Sequence, residues 1–315
     1  MRKIILFLAL LCFFISGCSV EKNTEKNLTN TYTVLDDSGA SVTLQRKPQR
    51  IVSLTYGTDE ILAELVDLKT IAAFSHWADD PQLSFLNKEQ LRAVKKRSSE
   101  NVEAVLKLKP DLVLASTATA PGLVKSLRDM GIPVYIARSP KTYEQMKEKI
   151  MGIANLVQEA GRGQEILKKM DSDLAETEKH LSRITTSKQK VAMLFYFGGV
   201  SGRKGNLVDE MLKMAHIRNG AAELGMGIGS NNISKEQVVE KNPDVFFIPA
   251  WNFGHEDNNV EKYKQEILTD PAFKNVKAIK DNKVIAIGEN YRNVASQHIV
   301  ESIRAFAKAV YPECF

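Results

Sequence analysis

NVEAVLKLKPDLVLAS (residues 101–116) and SKEQVVEKNPDVFFIP (residues 234–249) share one skeleton. In each, a Glu (Glu103, Glu236) stands seven residues before a Pro-Asp pair (Pro110-Asp111, Pro243-Asp244), a Val (Val105, Val238) falls between, and an apolar run follows. The first copy reads as a helix capped by Asn101 or Ser99, with Val102, Val105, Leu106 and Leu108 as its apolar stripe and Pro110 as its stop. Asp111 then turns the chain into a strand over 112–115. In the second copy Ser234 is the cap, Gln237 completes a capping box, Pro243 is the stop and 245–248 is the strand. Both are helix-turn-strand units of one design.

Short apolar runs of the same kind recur on either side. They cover 51–54, 70–74, 112–115 and 134–137, then 191–197, 245–248 and 284–287. Runs with little alternation indicate strands buried on both faces, as in parallel sheets covered by helices. Before them, residues 32–44 alternate apolar and polar around Asp37-Ser38-Gly39, which predicts an edge hairpin. Between the two sets, residues 142–187 are helical in pattern. Gly161 and Gly163 divide them, predicting one helix that ends near Ala160 and a highly charged one from about Gln164 to Arg183. Residues 302–310 read as a closing helix. The expected fold class is α/β: two α/β lobes with mainly parallel sheets, joined by one long α-helix, with a ligand cleft between the lobes. The boundaries are 32–141 for the N-terminal lobe, 142–187 for the helical connector and 188–315 for the C-terminal lobe.

The chain of 315 residues is long enough for two lobes of ordinary domain size, and 43% apolar with 26% charged residues is a globular balance. The net charge of +5 includes Arg2 and Lys3 and is too mild to argue for nucleic acid. The opening MRKIILFLALLCFFISGCSV has two basic residues, an apolar run and then small residues, the pattern of a secretory signal over 1–17. Its run over 4–15 is shorter than the roughly 18–20 residues needed to cross a bilayer as a helix. Ile15-Ser16-Gly17-Cys18 resembles the bacterial lipobox, which implies acylation of Cys18 and a lipid-anchored chain. Residues 18–31 then read as a flexible tether. With Cys12 removed and Cys18 acylated, Cys314 is the one thiol left, so no internal disulfide is expected.

In open parallel sheets, ligands bind beyond the carboxyl ends of the strands. That rule selects loops before any residue is judged. In the first lobe these loops supply Tyr56 and Thr58, His76 and Trp77, Thr117, and Arg138. In the second they supply Phe197, Arg203, Asn231, Trp251, Tyr291 and Arg292. All twelve are candidate ligand contacts. Broad aromatic faces with a few cationic donors suit a bulky, flat or partly anionic ligand. A single aromatic or Arg after a strand is as easily a packing or turn residue, and His76, His180, His216 and His298 each have an ordinary hydrogen-bonding reading. Signatures of turnover are missing: no HExxH pair, no GxSxG elbow, and a Gly202-Arg203-Lys204-Gly205 run followed by Asn206 rather than the Lys-Ser/Thr of a phosphate loop. The glycine spacing at Gly225, Gly227 and Gly229 opens no convincing helix, and five scattered histidines build no zinc site. Binding is expected, without a resident cofactor or a directly assigned metal ligand.

Lys47-Pro48-Gln49-Arg50-Ile51-Val52-Ser53-Leu54 with Thr58-Asp59-Glu60-Ile61-Leu62, the two Glu-to-Pro-Asp segments, Gly131-Ile132-Pro133-Val134, and Ala278-Ile279-Lys280-Asp281-Asn282-Lys283-Val284 with Tyr311-Pro312 carry a likeness. Together they resemble the metal-chelate-binding proteins of bacterial ABC importers, over nearly the whole mature chain. The resemblance implies a monomeric, extracytoplasmic, rigid two-lobed receptor for a ferric siderophore, haem or a corrinoid such as cobalamin. It also implies docking on an ABC permease dimer with its ATPase through Glu103 and Glu236, one per lobe. A Glu in a first helical turn is favoured by the helix dipole with no partner at all, by about 0.3–1 kcal/mol; two at matching offsets are what point to docking. Aromatic walls (Tyr56, Trp77, Trp251, Tyr291) fit a corrinoid, while Arg138, Arg203 and Arg292 fit an anionic siderophore. Haem would draw an axial ligand from Tyr56 or His76. The competing readings are a lipid-anchored chelate sensor without a transporter and an enzyme on the same lobes.

Overall fold

The computed structural model describes residues 31–196, 199–225, 233–250 and 259–315. The signal segment, Cys18, most of the tether, and the candidate contacts Phe197, Asn231 and Trp251 lie outside the described residues. An antiparallel hairpin comes first, β1 (Tyr32–Leu35) against β2 (Ser41–Leu44). The first lobe follows as β3 (Ile51–Ser53), α1 (Tyr56–Leu65), β4 (Ile71–Ala73), α2 (Lys88–Ala93), α3 (Val102–Lys107), β5 (Leu112–Ser116), α4 (Pro121–Asp129) and β6 (Val134–Ala137). Its sheet is parallel throughout, in the order β4-β3-β5-β6.

Two helices lead to the second lobe, α5 (Tyr143–Leu156) and α6 (Ala160–Leu181). The second lobe runs β7 (Val191–Tyr196), β8 (Gly199–Ser201), α7 (Leu207–Met214), β9 (Arg218–Asn219), α8 (Gly220–Glu223), α9 (Lys235–Lys241), β10 (Val245–Pro249), α10 (Val260–Thr269), α11 (Lys277–Lys280), β11 (Val284–Ile287), α12 (Glu289–Arg292) and α13 (Ile299–Val310). Its sheet orders β11-β10-β7-β8, with β9 also beside β7; β8 is antiparallel to β7 and the other pairings are parallel.

Side chains alternate along the central strands, and both faces are buried. Leu112 and Leu114 of β5 point into one large core, Val113 and Ala115 into a second under the outer helices. In β10, Val245 and Phe247 enter that same large core while Phe246 and Ile248 enter a third. The large core is filled from between the sheets by Leu62 and Leu65 of α1, Ile150 and Ile153 of α5, Met170 of α6, Leu212 of α7 and Phe306 of α13. The two sheets therefore share one layer of helices. Relative motion of the lobes would have to open a continuous apolar core, which is what makes the arrangement stiff.

The repeated segments are built as their sequence implies, and the structure adds the reason for the Asp. Asn101 caps α3 by accepting from the Ala104 amide at 3.0 Å, and Ser234 and Gln237 form a reciprocal capping box on α9. The residues before the prolines, Lys109 and Asn242, both take positive φ, 51° and 47°. Asp111 then accepts from the Gln49 and Arg50 amides at 2.8 Å each, and Asp244 accepts from the Val191 amide at 2.8 Å. Each Pro-Asp pair thus clamps the start of the neighbouring central strand.

Two expectations need correction. Gly161 and Gly163 do not divide the connector: both lie inside α6, and the break falls at Gln158, whose φ is 55°. Gly163 is there because α5 passes close by. A Cβ on it would sit 2.6 Å from the Ala154 Cβ and 3.0 Å from the Met151 Sδ. The stretch after β7, read as a loop, includes strand β8, whose three residues are too short for a period-2 signal. The pairing of β9, two residues long, gave no pattern at all.

Candidate functional site

Seven strand ends meet at one cavity of ≈ 580 Å³ between the lobes. The first lobe contributes Thr55 and Tyr56 after β3, Trp77 after β4, Ser116, Ala118 and Thr119 after β5, and Ser139 after β6. The second contributes Tyr196 at the end of β7, Pro249 at the end of β10, and Glu289, Arg292, Asn293 and Ala295 after β11. Lys149 of α5 and Glu100 complete the charged lining. This volume lies in the range of small-molecule sites.

The cavity floor is the seam where the lobes touch. Tyr56 donates its hydroxyl to the Asn293 carbonyl at 2.8 Å, and Lys149 donates to the Ala295 carbonyl at 2.6 Å. Ser296 donates to the Glu60 carboxylate, and the Gln297 amide donates to the Glu60 carbonyl at 3.0 Å. Gly57 abuts the same segment: a Cβ there would lie 2.6 Å from the Ala295 Cβ and 2.7 Å from its carbonyl oxygen. Only glycine lets α1 approach so closely.

The acids of α1 also hold the wall that carries Trp77. Asp59 accepts from the Ser75 amide at 2.9 Å and its hydroxyl at 2.5 Å, where the 75–87 loop begins. Glu60 accepts from the Phe85 amide at 2.9 Å, near its end. Burial pushes the Asp59 carboxyl up to about 7, and it raises that of Glu60 as well. On the opposite wall burial raises Glu289 and lowers Arg292, whose guanidinium donates to the Phe195 carbonyl at 2.6 Å and faces Glu289.

Of the nine candidate contacts among the described residues, Tyr56, Trp77 and Arg292 line the cavity. Thr58 does not reach it: fully buried, its hydroxyl bonds those of Ser53 and Thr55 at 2.7 and 2.8 Å, at the start of α1. Arg138 turns from the cavity to Asp37 and Glu148. Thr117 is exposed, and its hydroxyl supports Ser139 by accepting from the Ser139 amide at 3.2 Å. His76 is exposed with its ring 4.1 Å from that of Trp77, Arg203 is exposed beyond β8, and Tyr291 packs edge-on against Phe85. None of these four is in the lining. Glu103 and Glu236 are both exposed in the first turns of α3 and α9.

Sequence reasoning missed Tyr196, Ser139 and Lys149. Tyr196 was absorbed into a strand run, yet it is 42% exposed at the strand's end. Lys149 did leave a signal: it falls at helical spacing among Met146, Ile150 and Ile153, a charge on the buried stripe of α5. Among the described residues no three His, Cys, Asp or Glu side chains come together to hold a bare metal ion.

Residues 51–291 match the family described as periplasmic binding protein. An uncharacterised ABC transporter substrate-binding lipoprotein of Bacillus subtilis is 24% identical over 305 residues, covering 93% of this chain and 90% of its own. An Fe(3+)-citrate-binding protein of the same organism is 26% identical over 293 residues, 88% of this chain and 86% of its own. A solved structure from Staphylococcus epidermidis, described as a possible iron-binding periplasmic solute-binding protein, superposes with a TM-score of 0.72 at 19% identity. It covers 84% of this chain and 100% of that one.

Proposed function

From the premise that this chain belongs to the periplasmic binding protein family, as a substrate-binding protein of an ABC importer for an iron chelate, haem or a corrinoid, we propose that its own ligand is a metal chelate of low net charge. The observation that carries this is the state of the cationic side chains. Of the three arginines that would receive an anionic siderophore, Arg138 is paired with Asp37 and Glu148, Arg203 lies outside the lining, and Arg292 is buried and held by Phe195 and Glu289. The remaining lining among the described residues is aromatic and hydroxyl-bearing, acidic at Glu100 and Glu289, and cationic at Lys149. A polyanion would meet the single ammonium of Lys149 against the carboxylates of Glu100 and Glu289, too little positive charge to compensate it, whereas a corrinoid or a neutral to cationic ferric chelate would bury apolar edges on Trp77, Tyr56 and Tyr196.

Haem held through Tyr56 fits poorly, because that hydroxyl is committed to Asn293 and burial beside Glu60 and Glu289 pushes it up to about 12. Acylation at Cys18 would keep the receptor at the outer face of the membrane, and Glu103 and Glu236 would meet the two permease subunits. The deciding experiment is quenching of tryptophan fluorescence in the mature protein by cyanocobalamin, a cationic ferric hydroxamate, haem and ferric citrate. Micromolar or tighter binding of the first or second, with ferric citrate at least about tenfold weaker, is expected. Tight ferric citrate binding with the low-charge probes silent would defeat the proposal.

A further inference from the structure

We infer that Lys149 is a specificity-determining cation of the cleft, recognising an oxygen acceptor on the ligand edge that enters deepest. This rests on the chelate-receptor reading above. Lys149 is 2% exposed and nonetheless lines the cavity beside Tyr56, Gly57, Asn293 and Ala295. An ammonium carries three N–H donors. One goes to the Ala295 carbonyl at 2.6 Å, and among the described residues the other two have no acceptor. Arg292, the other lining cation among the described residues, is already held by a carbonyl and a carboxylate. A buried ammonium with two unmet donors costs free energy in the empty protein, and a ligand carbonyl or carboxylate would recover it.

The ligand chemistry follows. Within the low-charge class, the inner edge should carry an amide carbonyl or a single carboxylate oxygen rather than bare hydrocarbon. The charged and titratable groups around Lys149 come from several elements: Tyr56 and Glu60 on α1, Asp37 in the β1–β2 turn, Glu289 and Arg292 on α12, and His298, in the field of Glu60, before α13. Burial brings the ammonium down to about 8 despite Glu60 and Asp37. Its proton is therefore lost at mildly alkaline pH, within reach of a binding assay.

The test measures tryptophan quenching by cyanocobalamin, whose rim carries amides, and by haem, which carries carboxylates, from pH 6.5 to 9.5. It uses the wild type, Lys149→Met and Lys149→Arg. For the probe that binds, the wild type should hold constant affinity up to about pH 8 and then weaken, by about 10- to 100-fold in all, the worth of a charged hydrogen bond. Lys149→Met should show that loss already at pH 7 and a flat profile above it, and Lys149→Arg should retain affinity to higher pH. The Met variant also isolates Lys149 from Asp59, Glu60, Glu289 and His298, all raised and present in both proteins. A flat wild-type profile, or unchanged affinity in folded Lys149→Met, overturns the inference while leaving the chelate reading intact. If Lys149→Met does not fold, the wild-type and Arg profiles decide. Absence of binding by every probe at every pH would overturn both.

Discussion

Asp59 and Glu60 are consecutive acids on α1, and both are buried: one face of the helix holds the Trp77 loop and the other the opposite lobe. The Asp59 carboxyl, raised from 3.8 to about 7, keeps its proton better folded than unfolded. Its contribution is therefore full below the unfolded value and is lost as pH rises to about 7, on the order of a few kcal/mol. His298, also raised, acts in the same direction, whereas Asp36 and Asp244 are lowered and lose their contribution only in acid. Urea midpoints should thus be higher at pH 5.5 than at pH 8. Asp59→Asn, which keeps an acceptor for the Ser75 amide, should flatten that fall; parallel curves would show Asp59 is not its source. At the same seam, Gly57→Ala should cost about 1–3 kcal/mol by overpacking against the Ala295 carbonyl, and should weaken chelate binding. A Gly57→Ala protein melting with the wild type would contradict the contact. The sequence displayed these residues as Thr-Asp-Glu within a family-like stretch. That two adjacent acids are buried was not legible, because a helix pattern with apolar Ile61 and Leu62 says nothing about what packs on its other faces.

At the scale of elements, the central strands were legible and the breaks were not. Runs buried on both faces announce themselves in composition, so β3, β5, β6, β10 and β11 lie within a residue or two of their expected places. The connector misled because glycine has two uses: ending a helix, and letting a second helix come close. Gly161 and Gly163 separate the two uses by experiment. Gly163→Ala should destabilise by about 1–3 kcal/mol through Ala154 and Met151. Gly161→Ala, with nothing within 4 Å of its Cβ position, should stabilise by up to about 1 kcal/mol. Thermal melts of the two variants should move in opposite directions, and a shared direction would refute the close approach of α5 and α6.

For the whole molecule, the internal repeat gives each lobe the same exposed acid. Reversing both charges, Glu103→Lys with Glu236→Lys, should abolish chelate uptake by cells while leaving affinity in solution unchanged, since neither residue lines the cavity. Normal uptake by the double variant would remove the docking role. The sequence by itself determined two α/β lobes, a helical connector, and a cleft at the carboxyl ends of the strands, because apolar periodicity and helix caps are local and survive in one dimension. Only the tertiary structure decided which side chains face that cleft. Arg138 and Thr58 follow the right end of a strand but are claimed by neighbours distant in the chain or by a helix start. Lys149 arrives from a helix that strand-end reasoning does not consider. Whether a polar side chain is free for a ligand depends on every partner within hydrogen-bonding reach, and that is settled by packing between segments a hundred or more residues apart.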